Sequence, residues 1–430
     1  MKRIDLTITA LSPLAIGQRK PGGSVSEALD YIPGTVIRGA IAKEILRHSP
    51  EPPEAGDDFH RLFLDETAAV FCNGYPAIAQ SSENSPGASQ YITREAPVKV
   101  VPASALSSKT NPGFKPAKAG VFDSLIDGYC ATEQGHFYVP NDLSGNLVEA
   151  FKGFYSKDSS EAKSQHYSHT VSKRLLTRVG INRKRATAQD EILYSIEVMN
   201  ESQGKPERVQ TVYRSSILVQ EEDGLGSSKL AEQLYDFLQQ QCTLLRLGGA
   251  ASRGLGKVRL QVSEPKTVQP SNSIEQRIDA FNQQLSKRWN WWNVLGGASS
   301  NPTESRTFFT LNLQADAILT ENWRRTTVVS PAMLAPLLGL GATDITLHMA
   351  HSSYSYRSGW NAAWGLPKDT ELVTDKGSVY LFSIAKEKRT ECYEALARLE
   401  KVGIGNQCSE GYGQLRVCDE FHQVMRESAV

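Results

Sequence analysis

Ile4, Leu6 and Ile8 alternate with polar neighbours in "RIDLTITA", the period of a strand with one face buried. The period then changes in "YIPGTVIRGAIAKEILRHSP". There Val36, Ile37, Ala40, Ile41 and Leu46 fall on one helical face, with Thr35 placed to cap the start and Pro50 to close the end. Alternation returns in "DEILYSIEVM" through Ile192, Tyr194, Ile196 and Val198. "SKLAEQLYDFLQQQ" spaces Leu230, Leu234, Phe237 and Leu238 as a helix does, and "KVRLQV" alternates again. Residues 51–170 show weak periodicity and many breakers, as in "SSENSPGASQ" and "SSKTNPGFKPAKAG", which predicts a loop-rich insertion. Strand, helix, strands, helix, strand is the order of a ferredoxin-like βαββαβ unit.

A polar linker, "SEPKTVQPSNS", leads to a second set of elements. Ser273 and Gln276 have capping-box spacing for a helix whose apolar face is Ile274, Ile278, Phe281, Leu285 and Trp289. After the linker "GGASSNPTES", a strand begins near Phe308 in "FFTLNLQA", and a helix, "ECYEALARLEK", leads to "VGIGNQCSEGYGQLRV". That ending echoes the first unit. "GLGKVRL" (254–260) and "GYGQLRV" (411–417) share glycine, large apolar, glycine, polar, aliphatic, arginine, aliphatic, and each follows a helix holding a tyrosine, Tyr235 or Tyr393. The expectation is an α+β chain of two tandem ferredoxin-like domains. Residues 1–265 would form the first, with its insertion at about 51–170. Residues 266–305 would supply a helix and linkers, and 306–430 the second domain.

A chain of 430 residues suits two domains. Lys+Arg 47 balances Asp+Glu 47, so a polyanion site must come from local clustering rather than from global charge. The six cysteines, Cys72, Cys130, Cys242, Cys392, Cys408 and Cys418, form no CxxC pair, which argues against a disulfide framework or a cysteine-rich zinc site. No apolar run is long enough to span a bilayer, and the first residues lack a signal-peptide core, so a cytoplasmic protein is expected.

The densest glycine segment, "LGGAASRGLGKVRL", superficially suggests a nucleotide loop. Gly249 and Gly254 have Walker A spacing, but Leu255 stands where lysine must reach the phosphates, and no dinucleotide GxGxxG fits either. The order is also reversed, because phosphate loops run from strand to helix N-terminus and this one runs from helix to strand. Two readings stay open: a tight turn needing positive φ, or a backbone surface that a polymer phosphate approaches, with Arg253 and Lys257 supplying charge.

With these segments, the sequence resembles the RAMP superfamily of CRISPR-associated proteins. The matching stretches are "YIPGTVIRGAIA", "LGGAASRGLGKVRL" and "VGIGNQCSEGYGQLRV", together with the basic "TRVGINRKRATAQDEILYSIEVM". "YRSGWNAAWGLPK" followed by "GSVYLF" is similar to the two-RAMP-domain subunit of type III-D effector complexes, related to the subunits that hold the guide's 5′ handle. The resemblance covers about 1–47, 173–260 and 306–425, and finds no motif in 51–170. It implies a CRISPR RNA-bound ribonucleoprotein of prokaryotic antiviral defence. The partners it implies are CRISPR RNA, other RAMP backbone subunits, the large polymerase/cyclase-type signalling subunit and, indirectly, target RNA. It implies no cofactor.

Independent support for RNA binding comes from "SKRLLTRVGINRKR", where Lys173, Arg174, Arg178, Arg183, Lys184 and Arg185 have no acidic residue among them. A solvated basic loop is the alternative. Further RNA-binding candidates are Arg19 and Lys20, Arg38 in the first helical turn, and the glycine-loop residues Gly248, Gly249, Arg253, Gly254, Gly256 and Lys257 with their echo Gly411, Tyr412 and Gly413. "SYSYRSGWNAAWG" adds Tyr354, Tyr356, Arg357, Trp360 and Trp364, which would either stack on bases or pack on one another. For catalysis the candidates are Asp30, His166 and His169, the histidines expected in a polar loop; His348 and His351 lack a third metal ligand in the sequence. The reading is therefore a non-catalytic guide-RNA subunit. Its alternatives are a metal-independent endoribonuclease acting on precursor guide or target RNA, and a protein-only scaffold.

Overall fold

The computed structural model describes residues 1–17, 25–49, 51–80, 91–114, 120–158, 165–182, 184–185, 187–204, 208–221, 229–268, 272–294, 300–361 and 365–430. The first half is built on strand β1 (Lys2–Ala10), helix α1 (Gly34–His48), β2 (Ala69–Phe71) and helix α2 (Leu125–Glu133). It continues through β3 (Lys173–Asn182), β4 (Thr187–Met199), β5 (Val212–Val219), α3 (Leu230–Gln241), β6 (Leu244–Arg246) and β7 (Lys257–Val262). The main sheet runs β6-β7-β1-β5-β2, with every neighbour antiparallel. Ile4, Leu6 and Ile8 of β1 bury against Ile37 and Ile41 of α1 and against Leu234 and Leu238 of α3. Both helices thus cover one face of the sheet, and β1's Arg3, Asp5, Thr7 and Thr9 point to the other.

The second half starts with the long helix α4 (Asn272–Asn293) and β8 (Arg306–Leu313), followed by the hairpin β9 (Leu319–Glu321) and β10 (Arg324–Thr326). Next come α5 (Pro331–Leu338), β11 (Ile345–His351), β12 (Tyr354–Arg357), β13 (Glu371–Thr374), β14 (Val379–Ala385), α6 (Arg389–Val402) and β15 (Leu415–Val417). Its sheet runs β11-β14-β8-β15, again antiparallel throughout. Counted along the chain, both sheets contain the strand order fourth, first, third, second (β7-β1-β5-β2 and β15-β8-β14-β11). Phe308 and Leu311 of β8 share a core with Leu396 and Leu399 of α6 and with Ile278, Phe281 and Leu285 of α4.

Three local expectations are revised. Residues 51–170 are not a run of loops: they supply β2 to the main sheet and build a small five-stranded sheet that includes Phe154–Asp158 and Gln165–His169. Helix α2, also from this region, buries Leu125, Ile126, Tyr129 and Cys130 in the core of the second half. Helix α1 begins one residue before Thr35. The Asn73 side chain caps it, accepting from the Gly34 amide at 2.8 Å. Finally, β4 does form, but it pairs with β3 in a separate ribbon, while β5 holds the place in the main sheet.

Candidate nucleic-acid interface

The glycine loop leaves β6 and returns as β7, and its glycines bring it tightly against residues 13–15. Gly248 and Gly256 both adopt φ +83, and a Cβ on either would lie 2.5 Å from a backbone oxygen, of Ala15 and Leu247 respectively. The Gly249 amide donates to Ala15 O at 2.7 Å, Gly256 to Pro13 O at 2.9 Å and Gly254 to Ala251 O at 3.3 Å. Those three amides are therefore occupied within the fold. Of the two readings of this loop, these bonds favour the tight turn, and its arginines and Lys257 carry its charge. Arg246 clasps the loop through Leu255 O at 3.1 Å, while the exposed Arg253 donates to Tyr194 Oη at 2.8 Å.

Tyr194 belongs to the β3–β4 ribbon, which crosses the loop. One ribbon face, with Leu176, Ile196 and Val198, packs on Ala15 and Leu255. Arg178 lies directly opposite Tyr194 on that face. Lys173 donates to Ala28 O at 2.6 Å, and Arg174 pairs with Glu201 at 3.1 Å. Lys184 and Arg185 are exposed at the ribbon's turn, and Arg183 lies outside the described residues. The opposite face leaves Leu175, Val179, Ile181 and Leu193 exposed.

Around the sequence candidate Lys257, the main sheet's helix-free face adds four cations that the sequence did not single out. Arg246 is paired directly opposite Lys257, and Arg259 sits opposite both Leu244 and Thr9. Arg214 stands opposite Thr7 and donates to its Oγ1 at 2.6 Å. Arg3 completes the set, balanced by Asp5 at 2.6 Å. Like charges directly across a sheet repel, so an anion laid over Arg246, Lys257 and Arg259 relieves the fold as well as binding to it. Towards the second half this face borders a cleft of about 570 Å3 whose lining mixes Arg3, Arg214 and Lys401 with Asp5, Glu95 and Glu400, the last pairing with Arg277 and Arg416. The available signal was modest, namely lysine and arginine on the outward alternation of "KVRLQV". Arg3, Arg214 and Arg246 carried none, because strand pairing alone brings them together.

Other candidates occupy different surroundings. Arg19, Lys20 and Trp364 lie outside the described residues. Arg38 does not stand open to a phosphate: it pairs with Glu410 at 3.2 Å and donates to Phe63 O. Arg357 is likewise committed, to the buried Asp316 at 2.8 Å. Tyr354 and Tyr356 are exposed, and Trp360 stands on a short strand opposite Pro367. Gly411 and Gly413 are buried with Tyr412 between them; Gly411 faces Phe71 and Gly34 of the first half, and Gly413 packs on the backbone of Ile404. The two glycine loops therefore share a residue pattern and differ in surroundings, one bordering the sheet-face cations and the other meeting the first half.

The histidines lie on strands rather than in a loop. His169 is buried, bonded to Ser156 Oγ at 2.8 Å, and burial holds its imidazole down at about 4. His166 stacks on Phe114 and Tyr155, and burial with Lys157 and Lys99 nearby lowers it to about 4. Both are neutral near pH 7. Asp30 pairs with Lys376 at 3.6 Å. His348 bonds Ser383 Oγ at 2.7 Å, and no group of three or more His, Cys, Asp or Glu among the described residues is arranged to hold a metal ion. Among those residues, no helix is long and apolar enough to cross a membrane.

The RAMP superfamily profile matches residues 7–259. Among solved structures, the chain is similar to a subunit of a type III-B Cmr-beta complex bound to cognate target RNA and AMPPnP, at 10% identity and TM-score 0.38, covering 88% of this chain and 86% of that one. It is also similar to Cmr4 (Cas7) of Pyrococcus furiosus, at 13% identity and TM-score 0.27, covering 61% of this chain and 100% of that one. No curated protein matches.

Proposed function

The chain belongs to the RAMP superfamily, and on that premise we propose that it binds the guide RNA of a type III CRISPR effector complex. The carrying observation is that Arg246 opposes Lys257 beside Arg259 on the main sheet, while Arg253 ties the adjoining glycine loop to the β3–β4 ribbon. Strand pairing concentrates cations there although the whole chain is neutral, and that local field attracts a phosphate backbone. The finer reading is a type III-D subunit made of two ferredoxin-like domains, divided at about 265 and 306, that holds the guide's 5′ handle and meets the large polymerase/cyclase-type subunit. The matching strand order of the two sheets supports the two-domain part. The buried, neutral state of His169 and the packing of His166 favour binding over acid–base cleavage.

The test is fluorescence anisotropy of the purified chain with a single-stranded RNA carrying a repeat-derived handle. Arg178→Ala, Lys184→Ala and Arg185→Ala together should weaken binding at least tenfold at 0.15 M salt and flatten its salt dependence. An unchanged salt slope counts against the ribbon. Absence of any RNA binding by the wild type, alone and in the assembled complex, leaves the protein-only scaffold.

A further inference from the structure

The hairpin β9–β10 pairs Leu319 with Thr326, Thr320 with Arg325 and Glu321 with Arg324, so only Asn322 and Trp323 form its turn. Both have positive φ, 47° and 64°. A two-residue turn of this kind ordinarily takes asparagine followed by glycine, because the second position has no room for a Cβ without strain. Here the largest side chain of all occupies the glycine position, and it is 99% exposed. Among the described residues nothing recovers that strain, because the indole is almost wholly exposed and packs against no core. Backbone strain combined with a fully exposed aromatic ring points to a ligand outside the fold.

The mounting of this turn is rigid. Arg325 donates to Thr320 Oγ1 at 2.6 Å and to Glu371 Oε2 at 2.6 Å, fixing the hairpin to β13. Glu321 accepts from Ser330 Oγ, the residue that caps α5. Asn406, from the segment leading into the second glycine loop, donates to Thr320 Oγ1 at 3.2 Å, and Leu319 is fully buried. Arg324, the next residue along the chain, is exposed. The ring's immediate hairpin neighbours are Thr320, Glu321, Arg324 and Arg325, all polar. That setting suits a nucleic acid better than a protein hot spot, which sits within an apolar patch.

We infer that Trp323 is a stacking platform for an unpaired base of single-stranded RNA, with Arg324 meeting the adjoining phosphate. The assignment rests on the RNA-binding reading above and adds a second contact, on the other half of the chain. A π-face accepts any base, so the contact tolerates sequence variation.

The experiment measures affinity and its salt slope for a fluorescein-labelled oligouridine on the full chain. Trp323→Ala should lose about tenfold in affinity with the salt slope unchanged, since stacking releases no counterion. Arg324→Ala should flatten the slope by about 0.7. Trp323→Gly should lose RNA as Trp323→Ala does while its Tm holds or rises, because glycine relaxes the turn; this separates lost binding from lost folding. Trp323→Phe should retain most of the affinity. Wild-type affinity in Trp323→Gly, alongside loss in the Arg178/Lys184/Arg185 triple variant, overturns the platform and leaves the RNA reading intact. Wild-type protein that binds no RNA at all overturns both.

Discussion

Gly34 and Gly411 meet across the two halves with no space for a side chain. A Cβ on Gly411 would lie 3.1 Å from Gly34 Cα and 2.7 Å from Phe71 O. The start of α1 therefore docks directly on the second glycine loop, and Arg38–Glu410 reinforces the joint. A Cβ on Gly34 itself would fall 1.9 Å from Phe71 O, a backbone atom that cannot rotate away. Gly34→Ala should therefore destabilise the protein by about 3 kcal/mol, the upper range for overpacking. Gly39→Ala is the matched control. It lies exposed in the same helix with nothing within 4 Å of its added methyl, and should stabilise by about 1 kcal/mol. Chemical denaturation of both variants decides; shifts of the same sign would show that the joint is not tight.

Arg357 illustrates how burial reassigns a residue. Its partner Asp316 is buried and also receives Tyr31 Oη at 3.2 Å and the Lys376 amide at 2.9 Å. Arg357→Ala strands a buried carboxylate, at a cost of about 3–5 kcal/mol. Thermal unfolding should show that loss, while RNA affinity of the remaining folded protein stays at the wild-type value. A variant that keeps its stability and loses RNA would return Arg357 to the binding surface.

The parts of the fold that were readable had one wet and one dry face. Strand β1 and helix α4 bury the residues their periodicities named. Alternation in β4 was equally clear but reported only two unlike faces, and it marks a ribbon outside the main sheet. Strand β5, "VYRSSILV", is buried at six of its eight positions, serines included, so it has no alternation to detect. The first seven residues of helix α2 are all buried, which likewise erases a helical face. The ribbon's cations were legible because they cluster within one stretch of sequence, Lys173 to Arg185, without an acidic residue between them. The sheet-face cations were not, since Arg3, Arg214, Arg246 and Arg259 converge only through strand pairing. Trp323 gave no sign because "ENWRRT" looks like a plain polar turn until its φ angles are known.

Acid should weaken the fold through its buried histidines. The imidazoles of His166, His169 and His348 are each held down at about 4 by burial, below the ordinary 6.5. The unfolded chain then takes up protons that the folded chain refuses, so stability rises with pH across that interval. It should be level above about pH 7, fall as pH drops through 6.5, and gain no further loss from these groups below about 4. Tm measured at pH 7.5, 6.0 and 5.0 checks this, and His169→Gln should shrink the difference between pH 7.5 and 5.0. A flat profile over that range would mean the histidines are solvated.

The helix-free sheet face makes the sharpest electrostatic prediction. Lys257 and Arg259 point outward from β7, one opposite Arg246 and the other opposite Leu244. If RNA phosphates lie over this face, removing both cations removes two counterion-releasing contacts, and the slope of log K against log salt should flatten by about 1.4 for a single strand. The same double alanine variant also relieves repulsion from Arg246, so the free protein should be as stable as the wild type or slightly more so. A gain in stability combined with a loss of salt-sensitive affinity is the signature of cations placed for a ligand rather than for the fold. Cations that serve only the fold would show the reverse, lower stability with the salt slope unmoved.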